Sequence, residues 1–391
     1  MAYLHLATVT IYAWVEGWND ASNGPLLPRM QQVYHVGYAV VSLIFVFSCI
    51  GFICGAIANV FMSERLGFGK VSACAFLQVV GYSIQAAAPP FPAFVLGYFV
   101  NGFGMALQNA QATGYTARIG QNTALNMAIL TSVSAGALVC PFVATEFSQL
   151  PQWSFHFLTS VGLSLFNLVA LVAVFRLKNQ EECLAQIGRT VEEKGTSDRN
   201  ELRQIFKLKE VHLLALFVMF YSGTGVTIGG WTVTYIIDVR GGGSHSGYIS
   251  AGYFGGLLLG RFAFLKVNKK LGERLALVIY ATVAIALECI VWFVPSIAGD
   301  AVAVAVIGLL MGPVYPVSLN YATKVLPRWL LTGAIGWIAG VGQAGTALFP
   351  FITGAIASKA GIKTMQPVVV ASLASMIGLW LLVPKSSRRH D

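Results

Sequence analysis

The stretch LKNQEECLAQIGRTVEEKGTSDRNELRQIFKLK, residues 177–209, interrupts a chain that otherwise consists of long apolar runs. It holds thirteen charged side chains, a density that predicts a solvated linker. Six apolar segments precede the linker and six follow it. They lie at residues 4–26, 37–62, 71–88, 91–117, 122–147 and 153–176, and then at 211–237, 245–266, 271–294, 298–322, 328–357 and 364–384.

The composition excludes a water-soluble enzyme. Of 391 residues, 56% are hydrophobic and 10% charged, whereas about 25% are charged in an average soluble domain. A helix needs about 20 mostly apolar residues to cross a bilayer. We therefore predict an all-α membrane protein with twelve transmembrane helices in two pseudo-symmetric six-helix bundles, at residues 1–176 and 210–391, joined by a cytoplasmic linker at 177–209.

The distribution of basic residues predicts the orientation of the chain. The net charge is +9, but Lys and Arg sit in gaps between apolar segments and not on one helix face or tail, so we expect no nucleic-acid partner. With both termini in the cytoplasm, twenty basic side chains fall inside and four outside, as the positive-inside rule requires. The first helix would be the insertion signal. We expect a monomer in the lipid bilayer, in the plasma membrane in preference to an internal one.

The two halves repeat a short pattern. Gly51 and Gly55 precede a basic Arg-Leu-Gly loop, and Gly256 and Gly260 precede Lys-Leu-Gly, every match at an offset of 205. Small residues four apart also let helices pack closely in lipid, which is an alternative explanation for each pair. The common offset favours duplication of a six-helix unit.

The first segment carries the acidic residues expected to matter most, because charged groups deep in a bilayer are costly. Tyr12, Glu16, Asp20 and Asn23 share one helical stripe. Two carboxylates one turn apart repel each other when charged, so the pair can hold and release a proton near neutral pH. We predict proton coupling at Asp20 and Glu16. The alternatives are buried acids satisfied by neighbouring helix dipoles, or an Asp20 that lies closer to the outer water.

The first, fourth, seventh, tenth and eleventh segments supply candidate solute-binding groups. Amides and flat aromatic rings beside a water-filled path suit a polar, weakly charged or uncharged solute such as a sugar, a polyol or a hydroxylated metabolite. For each residue, hydrogen bonding between helices is the alternative. The candidates are Asn19, Asn23, Gln108, Asn109, Gln111, Trp231, Tyr235, Tyr315, Asn320 and Gln343.

Other motifs argue against catalysis. The G-x-G-x-x-G at 340–345 lies inside an apolar segment with no strand before it, which indicates close packing or a flexible gate. The sequence has no Walker A or H-E-x-x-H pattern, so we expect no catalytic residue, no metal and no cofactor. We expect Glu288 to be peripheral, and Arg261 to pair with loop carboxylates or carbonyls near the inner edge.

Twelve segments, a central linker, inner basic loops and a repeated half resemble the major facilitator superfamily. The loop from Gly55 to Lys70 is similar to the family motif G-x-x-x-D-R-x-G-R-R, with Phe68 in place of one Arg. In that family the acid caps a helix and the Arg pairs across, a contact that breaks in the other conformation. The resemblance implies a conformational gate formed by Glu64, Arg65, Gly67 and Lys70, to which we add Arg261.

A finer resemblance is to the fucose and glucose/galactose proton symporters and to a fungal branch of related facilitators. Asn19-Asp20, then Leu27-Pro28 and Gln31-Gln32, match the first-helix motif, which implies a protonatable role for Asp20. The fourth helix of that branch carries an essential Glu, whereas this chain has Gln108-Asn109. Those amides can bind a solute but cannot relay a proton, and Glu16 is the substitute.

We therefore predict a secondary active transporter of a small polar organic solute, working by alternating access. Proton coupling and facilitated diffusion stay open, as do uptake and export of a secondary metabolite or drug. A non-transporting nutrient receptor with a transporter fold is the alternative of another class. The experiment that separates them is solute flux in proteoliposomes under a pH gradient.

Overall fold

The computed structural model describes residues 2–119, 123–186 and 204–384, which form helices joined by short turns. The helices of the first half are α1 (Ala2–Tyr34), α2 (Tyr38–Val41), α3 (Leu43–Leu66), α4 (Phe68–Ala73), α5 (Phe76–Ala86), α6 (Phe91–Ile119), α7 (Thr123–Gln149), α8 (His156–Phe175) and α9 (Gln180–Ala185). Those of the second half are α10 (Lys209–Arg240), α11 (Tyr248–Ala263), α12 (Leu265–Leu271), α13 (Glu273–Phe293), α14 (Ile297–Met311), α15 (Val314–Val325), α16 (Leu331–Ala360) and α17 (Met365–Leu382).

The chain divides into two compact units, Met1–Glu193 and Lys194–Asp391, called unit 1 and unit 2 below. Eight helical stretches of the described residues are long and apolar enough to cross a bilayer. The pair α11 and α12, bent by 56° at its break, adds a ninth. Helices α1, α5 and α7 do not meet these criteria of length and hydropathy. The polar stripe in the middle of α1 lowers its mean hydropathy, and α5 has only 11 residues.

Two predicted segments differ from the helices observed. Helix α1 continues through Pro25 and Pro28 and ends at Tyr34, beyond the predicted end at residue 26. Proline normally interrupts a helix, but Leu26 and Leu27 are fully buried here, and their packing contacts favour continuation. The tenth segment is broken at Gly312-Pro313, between α14 and α15, where proline removes a backbone donor.

Glycines bring pairs of helices into backbone contact in unit 1. A Cβ atom built at Gly51 of α3 would overlap the carbonyl of Phe99 in α6, and one at Gly55 would lie 2.5 Å from the carbonyl of Phe103. Gly102 of α6 faces the carbonyl of Ser48 in the same way. The close helix packing that was the alternative explanation of the Gly51 and Gly55 pair is therefore present.

The same contacts recur in unit 2. Gly256 and Gly260 of α11 lie against the carbonyls of Ala305 and Leu309 in α14, and Gly308 faces the carbonyl of Tyr253. The glycines and the carbonyls that they face are offset from those of unit 1 by 205 or 206 residues. Both explanations of the glycine pattern therefore hold, because the glycines pack and the packing itself is repeated.

The start of the predicted linker is packed, not solvated. Cys183 and Leu184 in α9 are 1% exposed, and they join a cluster with Phe68 and Phe175. The amide N–H of Gly69 donates to the carbonyl of Lys178 at 3.0 Å, which fixes the chain leaving α8 against the start of α4. The prediction of a solvated loop is wrong at Cys183. The domain boundaries at residues 176 and 210 stay a prediction.

Candidate functional site

The two acids of α1 lie beside an amide from α6. The Nδ2 atom of Asn109 donates to Oε1 of Glu16 at 3.2 Å, and the Tyr12 hydroxyl lies next to the same carboxylate. Glu16 is half-buried and Asp20 is exposed. They are close enough for their charges to interact, and within the described residues neither forms an ion pair. The structure therefore brings together Glu16, Asp20 and Asn109.

One and two turns further along α1, tyrosine hydroxyls meet asparagine oxygens. Oδ1 of Asn19 accepts hydrogen bonds from the Tyr82 hydroxyl at 2.8 Å and from Nδ2 of Asn101 at 2.7 Å. The Tyr98 hydroxyl donates to Oδ1 of Asn23 at 2.8 Å. Tyr82 and Tyr98 were not among the predicted residues. Their signal in the sequence is a hydroxyl group within an apolar segment.

Two predicted amides are instead joined to other helices. Gln108 donates from Nε2 to Oε1 of Gln78 at 3.1 Å and accepts from Nδ2 of Asn167 at 2.9 Å, in a fully buried row of amides. Gln111 donates to Oδ1 of Asn59 at 2.6 Å. These contacts correspond to the alternative of helix-to-helix hydrogen bonding, and their role in solute binding stays a prediction.

In unit 2 the aromatic candidates fall into two groups. Trp231 is fully buried and donates from Nε1 to the carbonyl of Pro350 at 3.1 Å, and the buried Tyr235 hydroxyl donates to the carbonyl of Val291 at 3.2 Å. The half-buried Tyr315 instead stacks on Tyr221, with ring centroids 6.1 Å apart.

Arg261, Gln343 and Asn320 lie in three different surroundings. Arg261 lies beside Tyr221 and Tyr315, and its Nε and Nη1 atoms are buried without a hydrogen-bond partner. Within the described part of the chain, these two atoms therefore do not form the expected pairing with loop carboxylates or carbonyls. Gln343 is half-buried in α16. Asn320 is exposed.

Asn320 belongs to a charged group at the start of α13. Its Nδ2 atom donates to Oε1 of Glu273 at 2.5 Å, and Nζ of Lys324 pairs with the same oxygen at 2.7 Å. Glu273 directly follows the Lys-Leu-Gly loop. The surroundings of Asn320 are thus ionic, unlike those of Tyr315.

The predicted gate residues Glu64, Arg65, Gly67 and Lys70 span the end of α3 and the start of α4. Arg65 and Lys70 are exposed, and Gly67 adopts a φ of 77°, a conformation that favours glycine. The Asn179 side chain occupies the space where a Cβ atom of Gly67 would lie. The side chain of Glu64 lies outside the described residues. The gating role stays a prediction.

Comparison with known proteins decides the family. The family model for the Major Facilitator Superfamily matches residues 9–328. The chain belongs to the Major Facilitator Superfamily. Bypass of stop codon protein 6 of Saccharomyces cerevisiae is 24% identical over 407 aligned residues, which cover 96% of this chain and 82% of that protein.

Solved structures share the fold of this facilitator at low sequence identity. A mutant of the nucleoside transporter NupG superposes with a TM-score of 0.77 at 13% identity, covering 97% of this chain and all of that one. A bacterial homologue of the human lysosomal transporter Spinster, in an inward-facing and unoccupied conformation, superposes with a TM-score of 0.78 at 11% identity. The superposition covers 98% of this chain and 96% of that one. The D-xylose–proton symporter superposes with a TM-score of 0.77 at 13% sequence identity, covering 99% of each chain.

The predicted fold and function class are therefore confirmed. The facilitator is an integral, multi-pass membrane protein with the all-α, twelve-helix fold of its family, and it is a secondary transporter of small solutes.

Unit 2 of this facilitator also contains a buried ionic group that the sequence analysis did not predict. Nε of Arg240, at the end of α10, pairs with Oδ2 of Asp300 in α14 at 3.0 Å. Glu288 of α13 is 1% exposed, so its expected peripheral position is wrong. The sequence signal is weak, because Arg240 borders a glycine-rich loop and Asp300 lies in the first turn of its helix.

Proposed function

We propose that this facilitator carries a small hydroxylated or sugar-like solute across a membrane, coupled to a proton held by Glu16 and Asp20. The observation that carries the proposal is the pair of acids in α1, which interact with each other and have no cationic partner among the described residues. An uncompensated carboxylate in a membrane helix costs about 2.5–3.5 kcal/mol or more. A bound proton removes that charge and supplies a donor.

The solute would bind next to the acids. Asn109, Asn19 and Asn23 display amide groups along the same region of unit 1, together with the hydroxyls of Tyr82 and Tyr98. Such neutral donors and acceptors match the hydroxyl groups of a sugar-like solute. The D-xylose–proton symporter, named for a sugar and a proton, shares the fold and supports this class of solute.

We also propose a monomer whose two termini lie in the cytoplasm, in the plasma membrane. The support is the excess of Lys and Arg in the loops that this orientation places inside. Labelling of a tag inserted within 177–209 in intact cells, without permeabilisation, would contradict this orientation.

The coupling is tested by solute flux in proteoliposomes. A mixed pool of sugars, polyols and hydroxylated acids is offered with and without an imposed pH gradient, in each direction, and flux is followed by mass spectrometry. We expect the wild type to accumulate a solute against its gradient only when protons flow with it. The direction of proton-driven accumulation distinguishes uptake from export.

Two neutral variants then locate the coupling. Asp20→Asn and Glu16→Gln should retain exchange of solute at equal concentrations but lose accumulation against a gradient. Glu146→Gln, which changes an exposed acid of α7, is the matched control and should behave as the wild type. Unchanged accumulation in both α1 variants would disprove the coupling role. Binding without flux in the wild type would favour a receptor.

A further inference from the structure

The buried ionic group of unit 2, called the cluster below, lies where α10 ends and α14 begins. The guanidinium of Arg240 pairs with Asp300, and its Nη2 atom donates to the carbonyls of Val291 at 2.6 Å and Val294 at 3.2 Å. Arg240 also lies over the Tyr235 ring, 5.5 Å from its centroid. The positive charge of Arg240 is therefore balanced by Asp300, and its donors are engaged by the end of α13.

Glu288 lies beside this pair, and neither ion pair found among the described residues includes it. Its side chain is 1% exposed and its Oε2 atom has no hydrogen-bond partner. Among the described residues, the charged and titratable groups that interact with it are Asp300, Tyr235 and Tyr253, none of which is a cation. The cluster thus contains two acids and one base, and the negative charge without a counterpart belongs to Glu288.

Two further acceptor atoms of this cluster are buried without a hydrogen-bond donor. Oδ1 of Asp300 is buried without a partner, as is Oε1 of Gln366, a residue of α17 that lies next to Tyr235. Each of these residues is 1% exposed. An unpaired buried carboxylate is strongly unfavourable. One proton on Glu288 would remove the negative charge of its carboxylate. The resulting O–H group would be a hydrogen-bond donor among acceptor atoms that have no donor.

A proton fits this place better than a metal ion. Divalent ions that prefer oxygen take about six ligands or more, whereas Arg240 already occupies one oxygen of Asp300. A proton needs a single oxygen and no added space. We propose that Glu288 is a second proton-binding site of this facilitator, within unit 2 and independent of Glu16 and Asp20.

Arg240 is more exposed than the two acids of this cluster. The Arg240 side chain is 11% exposed, whereas Asp300 and Glu288 are 1% exposed. The ion pair and the carbonyl contacts of Arg240 hold α10, α13 and α14 together at this end of unit 2.

Infrared spectroscopy tests the site without reference to transport. The full chain is purified in lipid nanodiscs, and the carbonyl stretch of protonated carboxyl groups, identified by its shift in heavy water, is titrated. We expect a band at neutral pH that is lost in Glu288→Gln and retained in Glu146→Gln, which alters an exposed acid. The band should also persist in the double variant Glu16→Gln, Asp20→Asn, which separates this site from the proposed coupling pair.

Two results would overturn the proposal. One is a carboxyl band that is unchanged in Glu288→Gln. The other is a band that appears only when sodium is removed, which would assign the site to that ion. If Glu288→Gln does not fold, isotope labelling of glutamate in the Glu16→Gln variant identifies the band directly. Absence of a protonated glutamate there at neutral pH would equally exclude the site.

Discussion

Gly256 lies where α11 touches α14 backbone to backbone, and its replacement by alanine tests the packing of unit 2. An ideal Cβ atom at Gly256 would overlap the carbonyl oxygen of Ala305 and stand 2.7 Å from the amide nitrogen of Leu309. Neither atom is the end of a flexible side chain. The two helices must therefore separate to admit the methyl group.

The expected effect follows from two opposing contributions. Alanine in place of a helical glycine lowers the free energy of folding by about 1 kcal/mol through backbone entropy. Overpacking a tight contact raises it by about 1–3 kcal/mol, and occasionally more. Because the obstructing atoms belong to the backbone, we expect the larger cost, and a net destabilisation of about 2 kcal/mol for Gly256→Ala.

Gly252, one turn earlier in α11, provides the matched control. A Cβ atom there would meet the Cβ of Ala305 at 3.5 Å, an ordinary contact, so Gly252→Ala should gain up to about 1 kcal/mol. The measurement is thermal unfolding of both variants in the same detergent, followed by solute flux in proteoliposomes. Melting temperatures that are equal, or higher for Gly256→Ala, would refute the reasoning.

Two other residues give predictions of different kinds. Two donors of Arg261, Nε and Nη1, are buried without a partner among the described residues. Arg261→Gln should therefore raise the melting temperature, corresponding to about 1 kcal/mol or more, whereas Arg261→Lys should not. The reverse order of melting temperatures would contradict an uncompensated charge at Arg261. Burial raises the pKa of the Cys183 thiol, so its thiolate is scarce at neutral pH. Alkylation of Cys183 in the wild-type chain should be about tenfold slower than alkylation of the thiol introduced by Glu181→Cys in a chain that also carries Cys183→Ser. The rate of alkylation at Cys183 should increase as the pH rises. Equal rates at neutral pH would contradict the burial of Cys183.

The fold was predictable because bilayer crossing depends on summed hydropathy, which a single sequence contains. The twelve segments follow from hydropathy, and the glycine pairs follow from a spacing that the same sequence contains. The docking of α9 was not predictable, because it depends on two apolar side chains, Cys183 and Leu184, within a charged stretch. Tertiary packing decided their burial. Likewise, the passage of α1 through Pro25 and Pro28 depends on contacts that no local pattern records.

The candidate site was predictable in α1 and at Asn109 of α6. Glu16, Asp20 and Asn19 were found because acids and amides are rare in membrane helices. The aromatic candidates were harder, since the same indole donor can meet a solute or the carbonyl of Pro350, as Trp231 does. Which outcome occurs depends on helix rotation and on the position of a distant proline.

The repeated glycine contacts affect how genetic data on this facilitator should be interpreted. Every missense change at Gly51, Gly102, Gly256 or Gly308 adds atoms where a neighbouring backbone already lies. A screen of random mutants for loss of transport would therefore identify substitutions at these glycines as well as substitutions in the polar stripe of α1. Intolerance to substitution is a poor guide to solute contacts in this protein, and only assays that separate abundance from turnover will distinguish the two classes.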